Sequence, residues 1–280
     1  MAKAAYVHMH FTLKDPTVVF FEMEAIVKKL MIRLLLLISV IIFSACAATG
    51  QAEPAEAPAS EANIEILTQM GESQLIYILP PYAIDGNISV EKALANRRSH
   101  RNFRDKAISA DQLSQILWAA YGITSPMPDV PHLRGGLRTT PSAGALYPLE
   151  IYVIIGNVEE MAPGIYKYIS DGHKLIKVAE GDVRHELSEA ALGQRMIREA
   201  PVSVLYSAVF SRMTARYGER GIRYTYIELG HSAQNIYLQA EALGLGTVAV
   251  GAFNDDKIKQ ILNLPADEEP LYIMPIGYHY

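Results

Sequence analysis

An α+β fold is predicted for the folded part of this 280-residue chain, on three observations. Two largely apolar runs, Leu149–Ile155 (LEIYVII) and 202–209 (VSVLYSAV), have strand length and no helical period. Other segments carry a helical apolar period with recognisable caps. Helices and strands alternate, but hairpins interrupt the alternation, which disfavours a doubly wound parallel sheet.

In chain order, residues 89–96 read as a short helix capped by Ser89. Ser109, Ala110, Asp111 and Gln112 form a capping box. It opens a helix through Leu113, Ile116, Leu117 and Ala120, stopped at Gly122. The first buried strand is Leu149–Ile155. Residues 165–169 and 174–178 form a hairpin across Ser170, Asp171, Gly172 and His173. A helix over 182–192 and the strand 202–209 follow. The longest helix spans 224–243, with Gly244 as its C-cap. The chain then reads as a strand at 247–250, a helix over Asp255–Leu262 and a last strand at 271–276.

Composition narrows the function. Half of the residues are hydrophobic, which excludes disorder for most of the chain. A net charge of −5 argues against nonspecific nucleic-acid binding, which requires neutralised phosphates. Cys46 is the single cysteine, so intramolecular disulfides and cysteine-based zinc sites are excluded. The eight histidines show no HExxH or HxxxH spacing, so no metal site is expected. No P-loop signature is present.

The N-terminal quarter is read as a targeting segment and tether. Lys28, Lys29 and Arg33 precede an apolar stretch that ends at Phe43, Ser44, Ala45 and Cys46. This resembles the bacterial lipobox, with Cys46 as the lipidated residue. Met23 begins a well-formed signal, and the first 22 residues are read as a gene-start artefact. Residues 1–45 are thus the signal peptide, 46–71 a lipidated cysteine with an Ala-, Pro- and Glu-rich tether, and 72–280 the folded domain. Removing residues 1–45 leaves 20 basic and 27 acidic residues, a net charge of −7. The expected location is the cell envelope, lipid-anchored on the extracytoplasmic side.

Four segments could carry chemistry. Arg97, Arg98, Ser99, His100 and Arg101 follow a short helix, and guanidinium groups bind phosphate bidentately. A solvated charged face is the plainer reading of such a run. Thr139 to Pro148 runs small residues between two prolines, where backbone approaches a flat ligand closely; an ordinary loop before a strand is the alternative. Gly244 and Gly246 follow a helix and precede a strand, with Gly251 after it, the wrong order for a Rossmann turn. Gly230, His231, Ser232, Ala233 and Gln234 resemble a nucleophile elbow only superficially, since Gln234 stands where glycine is needed.

Together these segments resemble the nitroreductase superfamily, specifically its SagB/ThcOx branch of flavin-dependent dehydrogenases. The resemblance covers residues 96–277. It is carried by RRSHRNF, PSAGALYPLEIYV, the GIYKY hairpin, RYGERGIRYTYIELGHSAQNIYLQAEALGLGTVAVGAFND and EEPLYIMPIGY.

The resemblance implies a nitroreductase-like fold with a central, mostly antiparallel sheet flanked by helices. It also implies a homodimer with FMN at each of two interfacial sites. Arg97, Arg98, Ser99 and Arg101 would hold the phosphate, ribityl chain and pyrimidine edge. Pro141, Ser142, Ala143, Gly144 and Leu146 would pack on the flavin from the partner subunit. Ala249, Val250 and Gly251 would pass along the ring and offer a backbone N–H to N5. Gly230, Ala233 and Ala240 would form the helix face of the dimer.

Three departures qualify this. Ala145 and Tyr147 occupy places where the wider superfamily often carries Asn and Gln. The chain ends Gly277-Tyr278-His279-Tyr280 without the basic residue that many relatives direct at the phosphate. Azole-forming relatives use a Lys-Tyr pair where this chain has Arg216-Tyr217, and arginine stays protonated.

The implied activity is FMN-dependent hydride transfer to or from a small molecule, with NAD(P)H as a donor. Tyr217, and second Tyr166, are the candidate proton-transfer residues. The alternatives are an azoline dehydrogenase of modified peptides and a noncatalytic flavin-binding lipoprotein.

Overall fold

The computed structural model describes residues 64–69 and 72–280. The segment read as a signal peptide, Cys46 and the part of the expected tether up to residue 63 lie outside these described residues. Strands β1 (Ile64–Gln69) and β2 (Glu72–Ile78) lead into helix α1 (Val90–Asn96) and helix α2 (Ala110–Tyr121). A small ribbon, β3 (Ile123–Pro126) and β4 (Gly136–Arg138), precedes β5 (Leu149–Ile155), β6 (Gly164–Ile169) and β7 (Lys174–Glu180). Then come α3 (Arg184–Ala190), α4 (Arg195–Glu199), β8 (Val202–Ala208), α5 (Ser211–Tyr217) and the long α6 (Arg220–Ala242). The chain closes with β9 (Gly246–Thr247), α7 (Asp255–Leu262) and β10 (Glu269–Gly277).

Eight strands form one sheet in the order β1-β2-β7-β6-β5-β8-β10-β9. Every pairing in it is antiparallel. The apolar runs become the centre: all seven residues of β5 and of β8 are buried, in register from Leu149↔Ala208 to Ile155↔Val202. Because strand side chains alternate, each run serves two cores. Ile151, Val153, Val204 and Tyr206 pack with Leu113, Leu117, Leu229 and Ile236 beneath α2 and α6. Tyr152, Ile154 and Leu205 point the other way, onto Leu187, Ile197, Ile258 and Leu262 of α3, α4 and α7. Helices on both faces of an antiparallel sheet make the expected α+β class.

Local signals set several boundaries. Ser89 caps α1 by accepting from Lys92 N, and Ser109 with Gln112 completes the capping box of α2. Helix α6 ends in a Schellman motif: Leu245 N donates to Ala240 O and Gly244 N to Glu241 O, with Gly244 at φ +68°.

Other expectations need correction. Ordered structure starts before residue 72, since β1 pairs with β2 from Ile64↔Tyr77 to Gln69↔Glu72 inside the stretch read as tether. The Ala/Pro/Glu-rich residues before it mask the short alternating run. Helix α6 starts four residues earlier than expected, where Gly221 packs so closely on α5 that a Cβ would lie 2.7 Å from the Met213 carbonyl carbon. The strand expected at 247–250 is interrupted: only Gly246–Thr247 forms β9, and Val250 rejoins through an isolated bridge to Ile273.

Candidate active site

Helix α1 delivers the arginine turn. Arg97 is its C-cap, and Arg98 Nη1 donates to the carbonyls of Ala95 and Arg97 at 3.0 and 2.8 Å. The turn is joined to the segment after α6: His100 N donates to Thr247 O at 2.9 Å, and Ser99 bridges Thr247 in parallel. Gly246 makes this approach possible, because a Cβ there would sit 2.8 Å from His100 Cβ.

Tyr237 of α6 is the hub. Its hydroxyl accepts Ala249 N–H at 2.9 Å and lies 3.1 Å from Ser99 Oγ. The Arg97 guanidinium sits 5.2 Å from its ring centroid, a cation–π distance. Arg97, Ser99, Ala249, Val250 and Gly251 are therefore brought together, with Arg98, Ser99, Arg101 and Gly251 exposed. The expected backbone donor is narrowed to one residue. Ala249 N–H goes to Tyr237, and Val250 N–H goes to Ile273 O at 2.9 Å, so of the three only Gly251 N–H has no hydrogen-bond partner among the described residues.

The C-terminal tail reaches the same place. His279 stacks on His100 with centroids 3.7 Å apart, and its backbone bridges Phe103. Burial, then the neighbouring His279, hold the His100 imidazole below its usual pKa. Sequence reasoning assigned this tail no role, because the bridge that folds it back is a tertiary pairing.

The Pro141–Leu146 loop forms a second cluster. Gly144, Ala145 and Tyr147 have φ of +62°, +53° and +49°, strained for the two non-glycine residues. The bend is held from inside. Ser142 Oγ accepts Tyr147 N–H at 3.0 Å, and Arg134 Nη1 donates to Tyr147 O at 3.0 Å. Arg134 and Arg212 both pair with buried Glu150, at 2.8 and 2.5 Å, while Lys167 bridges Glu150 and Glu268 at 3.1 and 2.9 Å. On the outer side a Cβ at Gly144 would fall 2.5 Å from the Tyr217 hydroxyl and 3.1 Å from Arg216 Nη1. Tyr217 is thus seated directly against the loop, half-buried, with its ring edge-on to Tyr224 at 5.2 Å.

Tyr166 does not belong to either cluster. It is fully buried in β6, its hydroxyl donates to Ala162 O at 2.7 Å, and burial pushes its pKa up. The GIYKY hairpin places it in the core rather than at a surface. The expected dimer face also needs revision. Ala233 and Ala240 point into this chain's own core, and the exposed strip of α6 is Tyr226, Ile227, Gly230 and His231.

Sequence reasoning missed Glu228. It lies on the buried stripe of α6 with Thr225, Leu229 and Ser232, and is 1% exposed. An acid in phase with an apolar stripe was the available signal. Tyr121 of α2 donates to its Oε1. Burial raises its pKa to about 7, against the opposing pull of Ser142, Tyr121 and Arg138. The Arg138 guanidinium stacks over Tyr121 and Tyr147 at 4.3 and 4.5 Å.

Both clusters hang on α6. Glu228 and Tyr237 are nine residues apart, about 13 Å along the axis. A groove of about 750 Å³ lies beside the helix, lined by Val90, Gln115, Trp118, Asn235 and Gln239, but by neither the arginine turn nor the Pro141–Leu146 loop.

The nitroreductase family pattern matches residues 94–278. The chain belongs to the nitroreductase family. A protein of Methanocaldococcus jannaschii described as a nitroreductase is 45% identical over 190 residues, covering 68% of this chain and 91% of that one. The microcin B17-processing protein McbC of Escherichia coli is 26% identical over 201 residues, covering 69% and 71%. The FMN reductase [NAD(P)H] of Bacillus subtilis is 25% identical over 203 residues, covering 68% and 65%. Among solved structures, a Ralstonia eutropha protein of the same description superposes with a TM-score of 0.61 at 26% identity, covering 80% of this chain and 98% of that chain. This nitroreductase-family chain is therefore an oxidoreductase with a nitroreductase-like fold, related to the peptide-processing branch. That sets aside the noncatalytic reading.

Proposed function

We propose that this chain is an FMN-dependent oxidoreductase acting on a small molecule, with NAD(P)H as a donor. The observation that carries the reading is the convergence of Arg97, Ser99 and the Ala249–Gly251 segment on Tyr237. The residues fit the cofactor: exposed guanidinium groups for a phosphate, a hydroxyl at its edge, and an unengaged Gly251 N–H on a segment without bulk. Bound FMN would supply hydride acceptance and donation at N5. Arg97, Arg98, Ser99 and Arg101 bind and orient it, offering positive charge where a reduced flavin gathers negative charge. Gly251 N–H would offer N5 a donor. The loop residues Pro141, Ser142, Ala143, Gly144 and Leu146 would cover the ring and exclude water. In a homodimer the partner subunit would supply that loop. Tyr217 holds and moves a proton at its hydroxyl.

The test is to purify the full chain, record its visible spectrum, and follow reduction by NADH and NADPH. A yellow protein bleached by one donor is expected. A colourless protein that takes up no FMN at micromolar concentration would sink the reading.

A second reading, azoline oxidation in modified peptides, is favoured by the similarity to a microcin-processing protein. Arg216 counts against it, since a guanidinium does not take the place of a lysine base. Lipidation at Cys46 and attachment to the cell envelope rest on the sequence and are part of the proposal. No helix among the described residues is long and apolar enough to cross a membrane.

A further inference from the structure

Glu150 is a buried carboxylate that the reading above does not use. It lies at the start of β5, just after the strained loop, and three cations converge on it. Oε1 accepts Arg134 Nη2 at 2.8 Å and Arg212 Nη1 at 2.5 Å, while Oε2 faces Lys167 Nζ at 3.1 Å. Lys167 is shared with buried Glu268, which also accepts Ser207 Oγ at 2.6 Å. For Arg134 and Arg212, Glu150 is the one acidic partner among the described residues.

Both arginines also donate to a single backbone atom. Arg134 Nη1 reaches Tyr147 O at 3.0 Å, and Arg212 Nη1 reaches it at 3.3 Å. That carbonyl belongs to a residue of the left-handed bend, with φ at +49°. Two charged donors thus offset a conformation that a side-chain-bearing residue disfavours. Arg212 belongs to α5, and this helix meets the loop at both of its ends. Arg212 and Arg216 are four residues apart and share a face. At the first end Arg212 holds Tyr147 O; at the second, Arg216 and Tyr217 lie against Gly144. Tyr217 follows Arg212 by five residues, about 7.5 Å along the axis. The backbone ties the same two parts together, since Val209 N donates to Pro148 O at 2.9 Å.

We infer that Glu150 is a positioning residue for Tyr217. By holding Arg134 and Arg212 on the Tyr147 carbonyl it fixes the left-handed bend and, through α5, the seat of Tyr217 against Gly144. Without the charge on Glu150, Lys167 keeps Glu268. Arg134 and Arg212, with side chains 34% and 28% exposed, have only water to turn to. The loss therefore falls on the two donors to Tyr147 O. Tyr217 moves a proton only on the reading proposed above; the coupling itself requires neither flavin nor substrate.

The experiment is hydrogen–deuterium exchange of the full chain without added flavin, in Glu150→Gln, Arg134→Met and Arg212→Met. Fluorine NMR of 3-fluorotyrosine in place of Tyr217 accompanies it. In Glu150→Gln the amides of 142–147 and 211–217 should lose protection together, by about tenfold or more, the scale of a lost charged hydrogen bond. The fluorine resonance should move toward its value in the unfolded chain, while β8 keeps its wild-type protection. Arg134→Met should loosen the loop alone, whereas Arg212→Met should loosen both segments and move the resonance. Adding Arg212→Met to Glu150→Gln should change little more, because the two act through one contact. A Glu150→Gln protein that loses protection evenly across β8 and the loop has lost only fold stability, and overturns the inference. So does an unmoved resonance in Arg212→Met, a test that stands even if Glu150→Gln does not fold. Should the coupling hold while Tyr217→Phe turns over normally, only the proton-transfer reading falls.

Discussion

The Tyr237 hydroxyl accepts the backbone N–H of Ala249 at 2.9 Å, so one helix side chain fixes the path of the segment that follows its own helix. The same oxygen lies 3.1 Å from Ser99 Oγ in the arginine turn, and either hydroxyl can donate in that bond. Tyr237→Phe keeps the ring under Arg97 and removes both bonds. FMN affinity should drop by about tenfold, the scale of one net hydrogen bond, as read by fluorescence titration. Unchanged affinity would detach Tyr237 from the site.

The arginine turn should report on phosphate. Arg98→Ala should cost roughly 1.5–3 kcal/mol of FMN binding, the scale of a charged hydrogen bond. Riboflavin, which lacks the phosphate, should lose much less. Equal losses for the two ligands would assign Arg98 to capping α1 through Ala95 O and Arg97 O and nothing more.

Tyr217 and Arg216 should separate. Tyr217→Phe removes the hydroxyl beside Gly144 and keeps the ring against Tyr224. Flavin content should hold while turnover falls about 100-fold, the scale of lost acid–base help. Arg216→Lys retains the charge and should leave turnover nearly unchanged. A large gain in oxidation of thiazoline-bearing peptides in that variant would instead favour the azoline reading.

Glu228 also predicts how stability varies with pH. Its folded pKa lies above the unfolded value, near 7 against 4.5, so the folded state binds the proton more tightly. The ionisation penalty is absent below 4.5, grows between 4.5 and about 7, and is complete above. That interval corresponds to roughly 3 kcal/mol. Urea unfolding at pH 5 and pH 8 should show Glu228→Gln gaining on the wild type by up to that amount. A gap that does not widen with pH would contradict the assignment.

His173 gives the opposite sign. Burial between Ser114 and Tyr168 lowers its pKa from 6.5 to about 4. The unfolded chain therefore binds a proton first, and stability should fall as pH drops from 6.5 toward 4. His173→Gln should flatten that loss in the same unfolding series.

Much of the scaffold was legible in the sequence because its signals are local. The Ser89 and Ser109 caps, the runs that became β5 and β8, and helix α7 depend on residues within a few positions of one another. The partners of those elements were not legible. Tyr237 reads as an ordinary helix-face tyrosine until Ser99 and Ala249 arrive from 138 and 12 residues away. Tyr166 reads as an available phenol until β6 is placed inside the sheet. His279 needs the bridge to Phe103 to reach His100. In each case sequence gave the residue's phase along its element, while the tertiary neighbour decided its use.

The long helix α6 has a mechanical consequence. It fixes Glu228 and Tyr237 as two marks on one ruler, with a spacing set by helical rise and an angle set by helical turn. A single inserted residue between them would lengthen the ruler by only about 1.5 Å but rotate one mark by roughly 100° against the other. Either the carboxyl or the phenol would then face away from its partners. Substitutions along this stretch are open to compromise, whereas a change in residue number is not.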